Sequence, residues 1–376
     1  MIAGLKKKFF QLNGDWLLVL AIIPLAVAGL LTMNSFTEVS FYFNRQVFWL
    51  LLSFGVMFGA SMVDWRFLRQ SSTVIFLYIL SIIGLLILLV YSNSSGRSFS
   101  LIWFSVQPVE FVKLALIIIL AKYFSRRHIE IADFRHIAIS GLYAFIPFVL
   151  VFQQPDLGSA IIVFLIWLGL ILISGVSKKH LFVVFMIGVV AFIAVWFGAL
   201  YDYQKQRILS FIDPVADIQG AGYNANQSKI AVGSGQIMGK GLGFGSQSRL
   251  RFLPEPQTDF IFAAFAEEWG FIGSLVFFFL FGFIIYRILD NAIHGATNFE
   301  ILFGVGLAIM IFSNVVIHIG MNIGVLPVTG LPLPFVSYGG SHLLAEFLGI
   351  GILLGMKRYS LAFYKGDIKN EFLGPQ

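Results

Sequence analysis

The stretch RLRFLPEPQTDFIFAAFAEEWGFIGSLVFFFLFGFIIYR, residues 249–287, contains the boundary that decides the fold. Its first part is polar and is stiffened by Pro254 and Pro256, whereas residues 260–287 form an apolar run. A helix needs about 20 apolar residues to cross the hydrocarbon core of a bilayer. The stretch therefore predicts a chain that passes from an aqueous loop into a membrane.

The composition of the whole chain also indicates a lipid environment. The 376 residues are 58% hydrophobic and only 12% charged. Soluble domains are typically about 45–50% apolar and about 25% charged, so a soluble core could not hide this much apolar surface. Cysteine is absent, which excludes a disulfide framework and a thiolate metal site.

We predict an all-α polytopic membrane protein with about ten transmembrane helices. Residues 1–376 are interpreted as a single transmembrane domain with a long extracytoplasmic loop, residues 201–259, between spans 7 and 8. The predicted spans lie near residues 16–33, 47–63, 73–91, 106–124, 137–153, 156–174, 180–200, 260–287, 300–321 and 338–356.

The distribution of Lys and Arg predicts the orientation. The formal net charge is +6, and most basic residues fall on the side of the N-terminus, whereas the short loops on the other side contain only Arg45 and Arg97. Because short cytoplasmic loops are enriched in Lys and Arg, we expect both termini to be cytoplasmic and the 201–259 loop to be outside. The basic charge is thus a topology signal, and no nucleic-acid partner is expected. Lys6–Lys8 precede the first span as in a signal peptide, but we interpret that span as a retained anchor.

Charged residues inside the predicted spans are the first candidates for function. Glu110 and Lys113 are three residues apart in span four and therefore share a helix face. An intramembrane charge is costly and usually faces a partner or a cavity. The pair could lock the bundle, or it could form the wall of a polar cavity in which Lys113 meets a phosphate.

Two aspartates stand at predicted helix starts near the outer surface. Asp156 follows Pro155 and could cap span six, and this cap could also face a site. Asp259 lies where the long loop enters span eight, four residues after Glu255. A carboxylate at a lipid–water boundary can serve as a general base, although a helix cap is the simpler interpretation of its position.

Other polar features are weaker. The glycine-rich run around Lys240 lacks the spacing of a phosphate-binding P-loop. Glu267 and Glu268 are adjacent, so at most one of them is expected to face a cavity. His318, in a stripe with Asn314 and Asn322, is more typical of packing than of metal binding.

Four motifs together resemble the SEDS family, over essentially the whole chain. They are Gln154-Pro155-Asp156-Leu157-Gly158, residues 221–231 (AGYNANQSKIA), residues 252–262 (FLPEPQTDFIF) and residues 326–341 (LPVTGLPLPFVSYGGS). The segments 326–330 and 266–268 resemble the elongation branch of the family more than the division branch. Ser98 stands where the family commonly has Trp, and His342 stands where its residue is usually small.

The resemblance implies peptidoglycan glycosyltransfer: polymerisation of lipid II into β-1,4 glycan during elongation, with inversion at the donor anomeric carbon. It implies that Asp259 is catalytic and that Glu110, Lys113 and Asp156 line the polar cavity that binds the substrate. We further expect substrate contacts from Arg97, Lys240, Glu255 and Ser337. Mg²⁺ or Mn²⁺ is one source of charge stabilisation, but the sequence specifies no metal ligand. The implied partners are lipid II, glycan linked to undecaprenyl pyrophosphate, a class B penicillin-binding protein and other elongation-complex membrane proteins in the bacterial cytoplasmic membrane.

Two other classes of function stay open at this point. A lipid II flippase would use a similar polar cavity, and a scaffold for a transpeptidase would need no chemistry at all. For the partner's helix we expect docking on spans eight and nine, where Gly304 and Gly306 would allow close approach.

Overall fold

The computed structural model describes residues 15–36, 39–91, 98–100, 105–126, 134–198, 200, 202–213, 220–250 and 252–371. The first half of this part of the chain contains α1 (Trp16–Asn34), α2 (Val39–Met62), a 3₁₀ turn (Trp65–Arg69), α3 (Ser71–Tyr91), β1 (Phe99–Ser100), β2 (Ser105–Val106), α4 (Pro108–Ser125), α5 (Phe134–Gln153), α6 (Leu157–Ile173) and α7 (Lys178–Gly198). The two short strands pair antiparallel, with Phe99 opposite Val106.

The second half contains α8 (Asp202–Ile212), α9 (Ala221–Ser234), α10 (Ser246–Arg249), α11 (Ile261–Ile293), α12 (Asn298–Asn322) and α13 (Gly340–Glu371). The predicted loop 201–259 therefore includes three helices, of which α9 packs on α11 and α12. The polar composition of the loop gave no signal for these helices, because none of them is an apolar span; α9 and α10 pack on the bundle, and α8 packs on α9.

Six of the described helices are long and apolar enough to span a bilayer: α1, α2, α3, α5, α11 and α12. The apolar helix α6 and the apolar part of α7 are shorter. Helix α4 carries three charges, Glu110, Lys113 and Lys122. The all-helical, multi-pass membrane architecture is confirmed, whereas the number ten stays a prediction.

The centre of the bundle is formed by α4 and α12. Residues 112–121 of α4 are all buried, and α12 packs against α4, α6, α11 and α13. Helix α7 is peripheral, since side chains such as Phe185 (65% exposed) and Phe197 (80% exposed) face outward along it. The buried polar side chains of α4 and α12 therefore lie at the centre of the bundle.

Helix α11 is not the single continuous span that was predicted from residues 260–287. At Gly270 the backbone leaves the helical region, with φ 66° and ψ −163°. The Phe265 and Phe277 rings lie 4.6 Å apart, and the Phe262 and Phe278 rings lie 5.9 Å apart. In a straight helix such pairs would be about 18–24 Å apart. The short arm, residues 261–269, thus folds back along the long arm, residues 271–293.

The turn at Gly270 leaves backbone N–H and C=O groups of residues 267–272 without partners inside the helix. Residues 236–241 of the preceding loop form hydrogen bonds with these groups. Amides of Lys240 and Gly241 donate to the carbonyls of Glu267 and Glu268, each at 3.0 Å. Phe271 N donates to Gln236 O at 2.8 Å, and Ile272 N donates to Ile237 O at 3.1 Å. A Cβ at Gly239 would lie 2.1 Å from Glu268 O, so only glycine permits this close approach.

Polar contacts join the helices at the end predicted to be cytoplasmic. Asp15 accepts hydrogen bonds from Arg287 Nε at 2.9 Å and Asn291 Nδ2 at 2.7 Å, which ties α1 to α11. Burial raises the pKa of Asp15, but these hydrogen bonds outweigh it and hold the pKa below its usual range. Arg69 Nη2 lies 2.6 Å from Glu300 Oε1 and ties the 3₁₀ turn to α12.

The expectation that Gly304 and Gly306 face a partner helix is wrong. A Cβ at Gly304 would lie 2.5 Å from Ala292 Cβ, and one at Gly306 would lie 2.7 Å from Ile117 Cγ2. Both glycines allow α12 to pack closely inside the bundle, against α11 and α4.

Candidate functional site

A non-helical segment between α12 and α13, residues 326–339, organises the candidate site. We call it the outer segment. Gln46 Nε2 of α2 donates to Ser337 O at 3.1 Å, and His318 Nδ1 of α12 lies 2.7 Å from Leu331 O. Leu331 also lies against α6, since a Cβ at Gly158 of α6 would lie 2.8 Å from Leu331 Cγ. The outer segment therefore contacts three helices that are far apart in the sequence.

The loop that carries Asp259 is fixed directly to the outer segment. Ser337 Oγ donates to Thr258 O at 2.7 Å and accepts from Leu333 N at 2.8 Å. Tyr338 N donates to Gln257 O at 2.9 Å. These bonds position the two residues that precede Asp259.

A second set of bonds fixes Asp259 from α12. Asn322 Nδ2 donates to Asp259 O at 3.0 Å, and Asn322 Oδ1 accepts from Ala263 N at 3.1 Å. Helix α11 begins at Ile261 with Phe260 as the N-cap, so Asp259 is not the cap residue. Asp259 is partly exposed, and its backbone is restrained on both sides. This geometry suits a carboxylate with a defined position at the mouth of the bundle.

Glu110 and Lys113 form the predicted ion pair, and two further charged residues extend it. Lys113 Nζ lies 2.7 Å from Glu110 Oε1, with both side chains almost completely buried. His342 Nδ1 lies 3.0 Å from Glu110 Oε2, and His342 Nε2 lies 2.8 Å from Glu346 Oε1. The second of these contacts has the distance of an ion pair but not the angle of a hydrogen bond. The four residues form one buried row of ionisable side chains.

Asp156 caps α6, as one interpretation of the sequence predicted. Its Oδ1 accepts from Ser159 N at 3.1 Å, and the residue is 6% exposed. Gly158, in the first turn of the same helix, lies against Thr329 and Leu331 of the outer segment. The start of α6 therefore lies against the segment that fixes the Asp259 loop.

Lys240 lies on the other side of the short arm of α11, where it pairs with Glu267. Its Nζ is 2.7 Å from Glu267 Oε1, and the Glu267 side chain is fully buried. Glu267 also accepts from Ser246 Oγ at 3.2 Å and from Gln247 N at 3.1 Å. In this arrangement Lys240 anchors the loop 235–249, and a substrate contact by Lys240 stays a prediction.

The remaining predicted contacts are more dispersed. Glu255 is exposed, has a left-handed φ of 45° and accepts from Gln257 Nε2 at 2.8 Å. The hydroxyl of Ser337 is buried and already makes two hydrogen bonds, so its structural role is to fix Thr258. Arg97 lies outside the described residues.

The structure also contains polar positions that the sequence did not single out. Glu346 was missed because a lone acid in a mostly apolar span gives no partner by spacing alone, although it is four residues after His342. Gln46 and Asn322 were missed as anchors because amides carry no charge pattern. Among the described residues, no group of three or more His, Cys, Asp or Glu could hold a metal ion.

Comparison with known proteins then decides the family. A model of the FtsW/RodA/SpoVE family, described as cell cycle proteins, matches residues 11–361. The chain belongs to this family, the SEDS proteins. The resemblance first noted in four motifs is therefore confirmed over nearly the whole SEDS chain.

Curated relatives of the SEDS chain cover several branches. It is 43% identical over 251 residues to the peptidoglycan glycosyltransferase MrdB of Escherichia coli K12, covering 66% of this chain and 67% of MrdB. It is 36% identical over 361 residues to the stage V sporulation protein E of Bacillus subtilis 168, covering 92% of this chain and 97% of that protein. The higher identity to MrdB agrees with the predicted elongation branch.

Solved structures share the fold of the SEDS chain. One belongs to a study of the structural coordination of polymerization and crosslinking by a peptidoglycan synthase complex. It has a TM-score of 0.79 and 30% identity, and the match covers 93% of this chain and 98% of that one. The rod shape determining protein RodA of Thermus thermophilus has a TM-score of 0.69 and 26% identity, with the same coverages of 93% and 98%.

Proposed function

We propose that this protein is a peptidoglycan glycosyltransferase that polymerises lipid II during cell-wall elongation and shape maintenance. The observation that carries the proposal is the partly exposed Asp259, whose backbone is fixed by the outer segment and by Asn322. The names of the relatives support the reaction class, since MrdB and several FtsW proteins are peptidoglycan glycosyltransferases. The membrane architecture suits a substrate that carries a polyprenyl tail.

The proposed reaction needs one base and one stabilised leaving group. The 4-hydroxyl of the acceptor sugar attacks the anomeric carbon of the donor, and its proton passes to the carboxylate of Asp259. The new C–O bond replaces the bond to the lipid pyrophosphate, which leaves with its electron pair. Attack from the opposite face converts the α-linkage into a β-1,4 bond.

Stabilisation of the charge on the leaving pyrophosphate is proposed for Lys113, Arg97 or Lys240. Lys113 is enclosed and paired with Glu110 at 2.7 Å, so it meets the pyrophosphate only if this pair opens during binding. A divalent cation held mainly by the pyrophosphate oxygens would add to this effect, and the need for one is tested by adding a chelator to the polymerisation assay.

The function is tested with the purified full-length protein and labelled lipid II. Glycan chains of several disaccharides support the proposal, provided that the Asp259→Asn protein makes none. Movement of lipid II across a vesicle membrane without polymer would identify a flippase instead. If neither is seen with well-folded protein, a scaffold is the better description.

We also infer that the protein works with a class B penicillin-binding protein and other elongation-complex membrane proteins. The structural relative in a complex for polymerization and crosslinking supports a transpeptidase partner. Since Gly304 and Gly306 are buried, the candidate docking face on α12 is the outward side at Phe312 and Val316, which are 55% and 44% exposed. Cysteines placed there should crosslink to the partner's helix, whereas a cysteine at Phe185 on α7 should not.

A further inference from the structure

The row of four buried charges ends at a strained turn of the outer segment. Glu346 Oε2 accepts a hydrogen bond from Phe335 N at 3.0 Å. Phe335 is fully buried and has a φ of 63°, a left-handed conformation that bulky residues rarely adopt. The Glu346 carboxylate therefore helps to hold a backbone conformation that the residue itself disfavours.

From Phe335 the contacts continue to the loop that carries Asp259. Two residues later, Ser337 donates to Thr258 O, which immediately precedes Asp259. The row of charges from Lys113 through Glu110, His342 and Glu346 thus connects the wall of the site to the base. His342 is the only member that touches a carboxylate on each side, at 3.0 and 2.8 Å.

The positions of the two carboxylates are the basis for assigning the protons of His342. Ionised carboxylates only accept hydrogen bonds, so a ring nitrogen that faces one must carry a proton. Both nitrogens of His342 face carboxylates, and only the imidazolium has protons on both. Lys113 and His342 then balance Glu110 and Glu346, and the buried row has no net charge. A balanced row is the arrangement in which buried charges are tolerated.

We propose that His342 is a positioning residue, an imidazolium strut that sets the distance between the Glu110–Lys113 wall and the loop that carries Asp259. The proposal rests on the proposed function for its kinetic part, but not for its structural part. His342 touches neither the reacting atoms nor the substrate in this scheme. It acts through Glu110 on one side and through Glu346 and Phe335 on the other.

The charge balance is tested by thermal unfolding of three variants. His342→Gln leaves two carboxylates with one cation and should lower the Tm clearly. The double variant His342→Gln/Glu346→Gln removes one charge of each sign and should recover most of that loss. His294→Gln is the matched control, because His294 is an exposed histidine in the turn after α11. An unchanged Tm for His342→Gln would contradict the proposal that His342 balances the buried carboxylates.

The positioning role is tested by the kinetics of lipid II polymerisation. We expect a kcat about 10- to 100-fold lower in both His342→Gln and the double variant, with KM within about twofold, because misplacement of a base slows chemistry more than binding. A wild-type kcat in the stable double variant would contradict the positioning role of His342. His342 would then contribute only to the charge balance of the row. A change confined to KM would also contradict the proposal.

A spectroscopic measurement separates this proposal from the proposed function. In ¹⁵N-histidine NMR spectra of the detergent-solubilised protein, the signals lost in His342→Gln should be those of a doubly protonated ring. Signals of a neutral His342 ring would place the proton on Glu346 and would contradict the proposed imidazolium. If the wild-type protein does not polymerise lipid II, the proposed function fails. The Tm values of the variants and this spectrum still test whether His342 is a charged link between Glu110 and Glu346.

Discussion

At the scale of single residues, Asp259 carries the clearest expectation. The variants Asp259→Asn and Asp259→Ala should abolish glycan polymerisation and leave the Tm within about 1 °C of wild type, because a partly exposed side chain contributes little to packing. The check is a gel assay with labelled lipid II beside a thermal scan. Asp213→Asn is the matched control, an exposed acid in the same long loop. Normal polymerisation by the Asn variant would rule out Asp259 as the base.

Removal of Glu110 should cost more stability than removal of Lys113. Glu110→Gln leaves the buried Lys113 without a carboxylate, and an orphaned buried charge costs about 3–5 kcal/mol. Lys113→Met leaves Glu110 with His342 and should cost about 1–3 kcal/mol. Denaturation of the two single variants and the double variant in detergent measures the coupling. Equal losses in both single variants would argue against His342 as a partner of Glu110.

The residues of the site divide into those that the sequence could predict and those that it could not. Spacing was enough for the Glu110–Lys113 pair and for the Asp156 cap, since both depend on neighbours within one helical turn. The partners that matter most are far apart in the sequence: His342 meets Glu110 across 232 positions, and Ser337 meets Thr258 across 79. No local pattern specifies such contacts.

At the scale of elements, Glu267 should govern the order of the loop 235–249. This buried carboxylate accepts from Lys240, from serine hydroxyls and from backbone amides of α10. Glu267→Gln should destabilise the protein by about 2–3 kcal/mol, since bonds to a charged acceptor are stronger than neutral ones. It should also speed proteolysis within the loop.

The control for this prediction is Glu255→Gln, which changes an exposed acid that accepts one side-chain bond from Gln257. Limited proteolysis followed by mass spectrometry locates the cleavage sites. Cleavage rates equal to those of wild type in Glu267→Gln would show that the backbone bonds to α11 are sufficient to hold the loop.

Most element boundaries followed from hydropathy, with instructive exceptions. The predicted span 300–321 corresponds to Asn298–Asn322, and the span 73–91 corresponds to Ser71–Tyr91. Helix α2 begins at Val39, well before the predicted residue 47, because polar residues such as Gln46 point inward to the outer segment. The turn at Gly270 was not predicted, because the apolar run resumes after Glu267 and Glu268 and gives no signal that the helix reverses.

At the scale of the whole molecule, the orientation is open to a direct measurement. The chain contains no cysteine, so each introduced cysteine reports alone. A cysteine at His294, in the turn between α11 and α12, should react only with reagents that enter the cytoplasm. A cysteine at Asp213 should react with impermeant reagents in intact spheroplasts. The reverse pattern would invert the topology predicted from Lys and Arg.

The turn at Gly270 also bears on how the protein is made. Residues 261–293 leave the ribosome as one mainly apolar segment of 33 residues, longer than a bilayer requires. We expect the translocon to integrate the long arm, after which the short arm must fold back on the outer side. Its exposed backbone groups are then met by residues 236–241, which were synthesised earlier and must already have crossed the membrane. With the orientation predicted from Lys and Arg, we therefore expect the site around Asp259 to be completed only after membrane integration, and the nascent chain to be inactive until its loop has been translocated.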